Sequence, residues 1–175
     1  MLIRRLAPSD APAFLALRLA ALRQCPSAFS SSYEEECDTP VSEIERRLSP
    51  DSGRFNFGAF DGDALVGMLV LGREEGNKVR HKGFIRAVFV APSHRGQGVA
   101  RLLVEQALDT AMALEGLQQL TLSVTAGNAV ALGLYQSLGF DVVGQAPRAL
   151  LVDGAYHDDI YMVRHLHERT SAAPA

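Results

Sequence analysis

Hydrophobic positions along the chain switch between two periods, and the switches mark its elements. Leu2 to Leu6 reads as a short strand. Ser9 or Asp10 then caps a helix with Pro12 in its first turn, where a missing N–H costs nothing, and with Phe14, Leu15, Leu19 and Leu22 on its apolar side. Thr39-Pro40 opens a second, shorter helix that carries Ile44 and Leu48 toward the core. From Arg54 the period falls to two: Phe55, Phe57 and Ala59 alternate with small or polar residues up to Asp61-Gly62-Asp63, a hairpin signal. Leu65 to Leu71 supplies the return strand, and Lys82 to Val90 a third, ending at Ala91-Pro92-Ser93. A helical stripe follows through Val99, Leu102, Leu103, Gln106, Ala107, Leu108, Ala111 and Met112, closed by Gly116. Leu120 to Val124 is a short strand, and a helix runs from about Asn128 to Leu138 with Gly139 as its C-cap. Strands from Phe140 and from Tyr156 flank the turn Val152-Asp153-Gly154. This order predicts a mixed α/β domain, one layer of sheet with helices on its faces.

Length narrows the picture. With 175 residues the chain is expected to form one domain over residues 1–168, followed by a disordered tail at 169–175 that includes the low-complexity run Thr170 to Ala175. A hydrophobic fraction of 47% and a charged fraction of 21% are those of a globule with an ordinary core, not of a disordered chain or a coiled coil. Met1-Leu2-Ile3-Arg4-Arg5 leads into a polar stretch rather than an apolar signal core, and no run reaches the ~18 apolar residues of a membrane span. The expected setting is cytoplasmic, without a membrane partner, and Cys25 and Cys37 read as reduced thiols.

Charge argues against one class of partner. Seventeen Lys and Arg against 20 Asp and Glu leave a net charge of −3, whereas polyanion binders carry a basic excess. The densest basic cluster, Lys78, Arg80, His81, Lys82 and Arg86, is too small to track a nucleic-acid groove. A phosphate ligand would therefore need a local site.

Such a site is legible at Val88-Phe89-Val90-Ala91-Pro92-Ser93-His94-Arg95-Gly96-Gln97-Gly98-Val99-Ala100. A strand ends in a turn, two glycines follow, and a long amphipathic helix begins at once. The start of a helix leaves backbone N–H groups unpaired and carries partial positive charge. Glycines let an anion reach those donors, and Arg95 adds a cation, which together suit a pyrophosphate. The segment lacks the Gly-Lys-Ser/Thr ending of a P-loop. It also lacks the third glycine of a dinucleotide fingerprint, because Arg101 stands there, and the acidic residue of the next strand, where Leu120 and Thr121 stand.

Arg95, Gly98 and Ala100 resemble the acyl-CoA motif of the GNAT superfamily of N-acetyltransferases: Arg or Gln, two residues, Gly, one residue, Gly or Ala. Asn128, Ala131, Leu134, Tyr135, Gly139 and Phe140 resemble that family's second motif, one strand later. Asn128 and Tyr135 are seven residues apart, on one helical face, where Asn128 also suits an N-cap. The resemblance spans Leu2 to Leu166. It implies a GNAT fold: a central, mostly antiparallel sheet of six to seven strands with one splayed pair, and about four flanking helices.

The resemblance further implies a division of labour. Val88, Phe89 and Val90 would pair with the pantetheine of acetyl-CoA, Arg95, Gly96, Gln97, Gly98, Val99 and Ala100 would hold its pyrophosphate, and a backbone N–H of the same strand would polarise the acetyl carbonyl. Tyr135, with Asn128 beside it on the helix, would face the sulfur and protonate or hydrogen-bond it as catalytic residue. A primary amine would attack directly in a ternary complex. The carboxylate that some relatives carry before the cradle is missing, since Phe84, Ile85 and Arg86 occupy that stretch. A base for the amine, or a group for its positive charge, is sought instead among Glu34, Glu35 and Glu36 or His157, Asp158 and Asp159, with Tyr33, Glu34, Glu36 and Asp158 as the acceptor-binding set. His94, His165 and His167 have no ligand context, so no metal is expected. A homodimer through the late strands is a further implication. The rival class is a CoA-binding regulatory or interaction domain without turnover, and a retained Tyr135 argues against it.

Overall fold

The computed structural model describes residues 1–166; the expected tail at 169–175 lies outside the described residues. Chain order runs β1 (Leu2–Arg5), α1 (Ala11–Gln24), α2 (Tyr33–Glu36), α3 (Val41–Leu48), β2 (Arg54–Asp61), β3 (Ala64–Arg73), β4 (Lys82–Val90), α4 (Val99–Ala113), β5 (Gln119–Thr125), α5 (Ala129–Ser137), β6 (Asp141–Val152) and β7 (Ala155–His165). The seven strands form one sheet in the order β1-β2-β3-β4-β5-β7-β6. Every pairing is antiparallel except that of β4 with β5. This is the expected mixed sheet.

Alternation along the strands feeds two cores, one on each face. Phe57, Ala59, Leu69, Leu71 and Ile85 pack with Leu103, Val104, Ala107 and Ala111 of α4. Phe60, Met68 and Phe89 point the other way, to Phe14 and Ala21 of α1 and Ile44 and Leu48 of α3. A period of two in the strands and of 3.6 in the helices makes this the arrangement that covers both faces.

The splayed pair follows from where pairing stops. β4 and β5 meet only at Lys82↔Gln119, Gly83↔Leu120 and Phe84↔Thr121. Beyond Phe84 the register of β4 on β3 also shifts, from Val70↔Arg86 to Met68↔Phe89, with Ala87 in the left-handed region at φ 53°. The extra residue bends β4 away from β5 and opens a wedge between them.

Three details differ from the sequence reading. Asp10 is the N-cap residue of α1, as expected, but its side chain makes no capping bond: the carboxylate accepts from both terminal nitrogens of Arg4, at 2.7 and 2.8 Å, and from the Ala7 amide at 2.8 Å, holding a 3-10 turn at Pro8–Asp10. Helix α4 ends at Ala113 rather than at Gly116. The acidic run contains a fifth helix, the single turn α2, capped reciprocally by Ser32 and Glu35. Its signal, Ser-x-x-Glu, is a capping box present in the sequence.

Candidate active site

The cradle is built by the turn from β4 into α4. Ala91 donates to Val66 at 2.8 Å and fixes the end of the strand; a 3-10 turn at Pro92–His94 follows. Gln97 donates from its side chain to the Ser93 carbonyl at 3.1 Å. His94 lies between Ser93 Oγ at 2.9 Å and Asp61 Oδ2 at 3.2 Å, tying the turn to the β2–β3 hairpin. Gly96 and Gly98 take φ values of 74° and 79°, and a Cβ on either would meet no protein atom within 4 Å. The glycines are thus required by conformation, while the space above them is open. The backbone N–H groups of Gly96, Gln97, Gly98, Val99 and Ala100 have no backbone acceptor among the described residues. They are donors without backbone acceptors at the positive end of a 15-residue helix.

Arg95 contributes differently from a free cation. Its Nε donates to the Val90 carbonyl at 3.0 Å, its guanidinium stands 5.5 Å from the Phe89 ring centroid, and one terminal nitrogen reaches Cys25 Sγ at 3.7 Å. The side chain therefore stitches the turn onto β4.

Val88, Phe89 and Val90 lie on the splayed half of β4, with Phe89 and Val90 buried. Among the described residues, 85–90 have no strand partner on the β5 side, so that edge offers backbone groups to whatever fills the wedge.

Helix α5 carries the second motif and is tied to α4 where Arg101 donates to Ser137 Oγ at 2.6 Å. Asn128 is its N-cap and accepts from the Ala131 amide at 3.1 Å. At the far end Gly139 adopts φ 82°, Gly139 donates to Gln136 and Phe140 to Tyr135, each at 3.0 Å: a Schellman closure. That closure stacks Phe140 edge-on against Tyr135, ring centroids 5.8 Å apart. Tyr135 is 6% exposed, and burial pushes its phenol up to about 12. Its hydroxyl is hydrogen-bonded to no side chain or backbone group among the described residues, so it remains a protonated donor.

Below the wedge lies a cleft of about 660 Å³ walled by α1, β2, β4, β5 and the β6–β7 ribbon. Phe14, Phe29 and Phe84 line it together with Arg18, Glu36 and Asp159. Arg18 grips Glu36 in a two-pronged pair, 2.7 and 3.1 Å, with both side chains nearly sealed. Burial alone would raise the Glu36 pKa, but Arg18, with help from Ser31 and Arg47, outweighs it and holds the carboxyl below its usual range.

Comparison with known proteins agrees with this geometry. The model of the "Acetyltransferase (GNAT) family" matches residues 19–140. The chain belongs to the GNAT family. An N-alpha-acetyltransferase of Mycobacterium tuberculosis is 30% identical over 149 residues, covering 85% of this chain and 89% of that protein. The first curated relatives are spanned less fully: the matched stretches cover 38%, 57% and 45% of their lengths. Among solved structures, a GNAT-family acetyltransferase from Streptococcus pneumoniae superposes with a TM-score of 0.84 at 24% identity, over 95% of this chain and 99% of that one. A Salmonella typhimurium acetyltransferase determined with acetyl-CoA superposes at 0.80 and 23% identity, over 100% and 98%. At such identities the superpositions speak for the fold.

Within this GNAT domain the acceptor candidates part company. Glu36 lines the cleft but is committed to Arg18. Tyr33 and Glu34 line a neighbouring hollow beside Leu150 and Asp153, with Arg23 stacked 3.8 Å from the Tyr33 ring centroid. Asp158 accepts from the Arg148 amide at 2.8 Å and from Gln145 at 2.9 Å, where the β6–β7 register shifts; those bonds hold its carboxyl below the usual range. Its neighbour Asp159 faces the cleft instead, because successive strand residues point to opposite faces. Of the arginines of the cleft wall, Arg86 enters the sequence reading only as a member of the basic cluster at 78–86, weighed as a 3′-phosphate contact or solvated charge, and Arg18, Arg47 and Arg54 enter it as no site residue. Their spacing carries no motif.

Proposed function

We propose that this chain is an acetyl-CoA-dependent N-acetyltransferase acting on a primary amine in a ternary complex. The observation that carries the reading is one chain segment that joins an open strand edge at 85–90, a left-handed Ala87 bulge and amides without backbone acceptors at 96–100, with Tyr135 packed in the same core as Val90 and Val99. The cradle fits a diphosphate, since its amides lack backbone partners and its glycines leave the approach clear. Acetyl-CoA would supply the acetyl thioester. Residues 96–100 would bind its diphosphate, the free edge of Val88, Phe89 and Val90 would align its arm, and a backbone N–H near the bulge would receive the carbonyl oxygen. As the amine N–C bond forms and the C–S bond breaks, Tyr135 would donate a hydrogen bond to the sulfur. The amine sheds one proton to Asp159 or to solvent; Glu36, already held ionised by Arg18, is a poorer base. That relatives of this domain are named as N-acetyltransferases supports the same chemistry.

The test is release of free CoA from acetyl-CoA against a panel of amines, with the acetylated product identified by mass. Turnover with any amine well above hydrolysis supports the proposal. Tight acetyl-CoA binding with no turnover across the panel would instead identify a CoA-binding regulatory domain.

A further inference from the structure

The acceptor cleft is cationic, although the chain as a whole carries −3. Arg18, Arg47, Arg54 and Arg86 line it, against only Glu36 and Asp159. Pairing does not cancel this excess. Arg18 neutralises Glu36, and Arg47 is engaged by Glu43 at 2.8 Å. Arg54 and Arg86 have no carboxylate within ion-pair distance among the described residues.

Arg18 adds a second, independent sign. Its Nε and one terminal nitrogen are spent on Glu36, while Nη1 is buried and has no hydrogen-bond partner among the described residues. The side chain is only 11% exposed. A buried guanidinium donor left empty is costly, and the group that satisfies it best is an oxyanion. Stacking orients the donors: Arg18 lies 4.8 Å from the Phe29 ring centroid and Arg86 4.2 Å from that of Phe84. Arg86 also stands on β4 immediately before the bulge, at the mouth of the wedge.

We propose that the acceptor is a small primary amine bearing its own carboxylate, as a free α-amino acid does. Arg18 and Arg86, with Arg54 at the rim, receive the carboxylate; the phenylalanine rings cover an apolar remainder; Asp159 faces the amine. The same field serves catalysis. Positive charge around a bound amine disfavours its ammonium form and raises the share of the neutral nucleophile. A polyamine meets four guanidinium groups with several ammonium charges and is repelled. A peptide N-terminus offers an amide where the carboxylate belongs.

This inference rests on the acetyltransferase reading, and the experiment separates the two. Glycine, leucine and phenylalanine are assayed by CoA release, each beside its own amide, together with 3-methylbutylamine and spermidine. At least one free acid is expected to exceed its amide at least tenfold in kcat/KM, and to exceed both other amines. Arg86→Gln and Arg54→Gln change exposed side chains, so both variants fold, and one or both should shrink the acid-to-amide ratio below about threefold, mainly through KM. Amides or spermidine turning over as well as every free acid overturns the carboxylate site, while leaving the acetyltransferase standing. So does an acid-to-amide ratio untouched in both variants. Should no amine be acetylated, the acetyltransferase reading fails, and calorimetry of the same acids and amides on CoA-saturated protein decides the carboxylate site. Heat from an acid but not its amide upholds it; equal heats, or none from the three acids, overturn it.

Discussion

Replacing Tyr135 by Phe removes one oxygen from a side chain whose ring stays buried against Phe140 at 5.8 Å. Because that oxygen is bonded to no other described residue, the substitution breaks no internal hydrogen bond, and stability at neutral pH should change by less than about 0.5 kcal/mol. The catalytic effect is larger and can be sized. Burial raises the phenol from 10.0 to about 12. An alkyl thiol ionises near ~8.5, so complete proton transfer from phenol to thiolate runs uphill by roughly 5 kcal/mol. In the proposed mechanism Tyr135 would therefore act by donating a hydrogen bond to sulfur as negative charge builds there, not by surrendering its proton early. Hydrogen bonds to charged groups contribute about 1.5–3 kcal/mol, and each ~1.4 kcal/mol is tenfold in rate. Tyr135→Phe should lower kcat about 10- to 150-fold at saturating substrates, measured by CoA release, with the acetyl-CoA Kd within about threefold by calorimetry. A kcat within twofold of the unaltered protein, at unchanged Kd, refutes the role. Stability offers a second check with a fixed sign. A raised phenol pKa means the native state holds its proton more tightly, so the contribution is intact below pH ~10 and is lost as pH rises toward 12. The loss is about 3 kcal/mol. Urea midpoints should fall across that alkaline window less steeply in the Phe variant.

Three further outcomes follow from the geometry. Gly98→Ala forces a Cβ onto φ 79°, which should cost about 1–2 kcal/mol in thermal unfolding and weaken acetyl-CoA at least tenfold; unchanged Kd would remove Gly98 from the cradle. Glu36→Gln strips the partner from a nearly sealed Arg18 and should cost about 3 kcal/mol in urea at pH 7. Since the Glu36 pKa is depressed, that difference is complete above pH ~4.5 and shrinks as pH falls below it. Asn128→Ala should cost about 1 kcal/mol through the lost N-cap, whereas Asn128→Asp keeps the cap; an acetyl-CoA Kd altered in the Asp variant alone would show a role for the amide itself.

The cradle was legible in the sequence because it is local. Two glycines between a strand and an amphipathic helix dictate left-handed turns, and a helix start dictates free amides, whatever surrounds them. The same holds for Gly139-Phe140, where one glycine both ends α5 and presses Phe140 onto Tyr135. The single turn α2 was equally local, written as Ser32 and Glu35 three apart. The cleft was not legible. The acidic residues Glu34, Glu36 and Asp158 suggested a pocket for a cation, yet Glu36 is claimed by Arg18 from α1, Asp158 by the backbone of β6, and Glu34 lies in the neighbouring hollow.

By itself, then, the sequence determined the periods and the turns, and with them the fold and the free amides at the start of α4. These depend on contacts within a few residues, where chain connectivity sets geometry. Only the tertiary structure decided the sign of the cleft, by gathering Arg18, Arg47, Arg54 and Arg86 from four separate elements around one space. Charge acts through space with a strength set by distance and burial, and spacing along the chain says nothing of either.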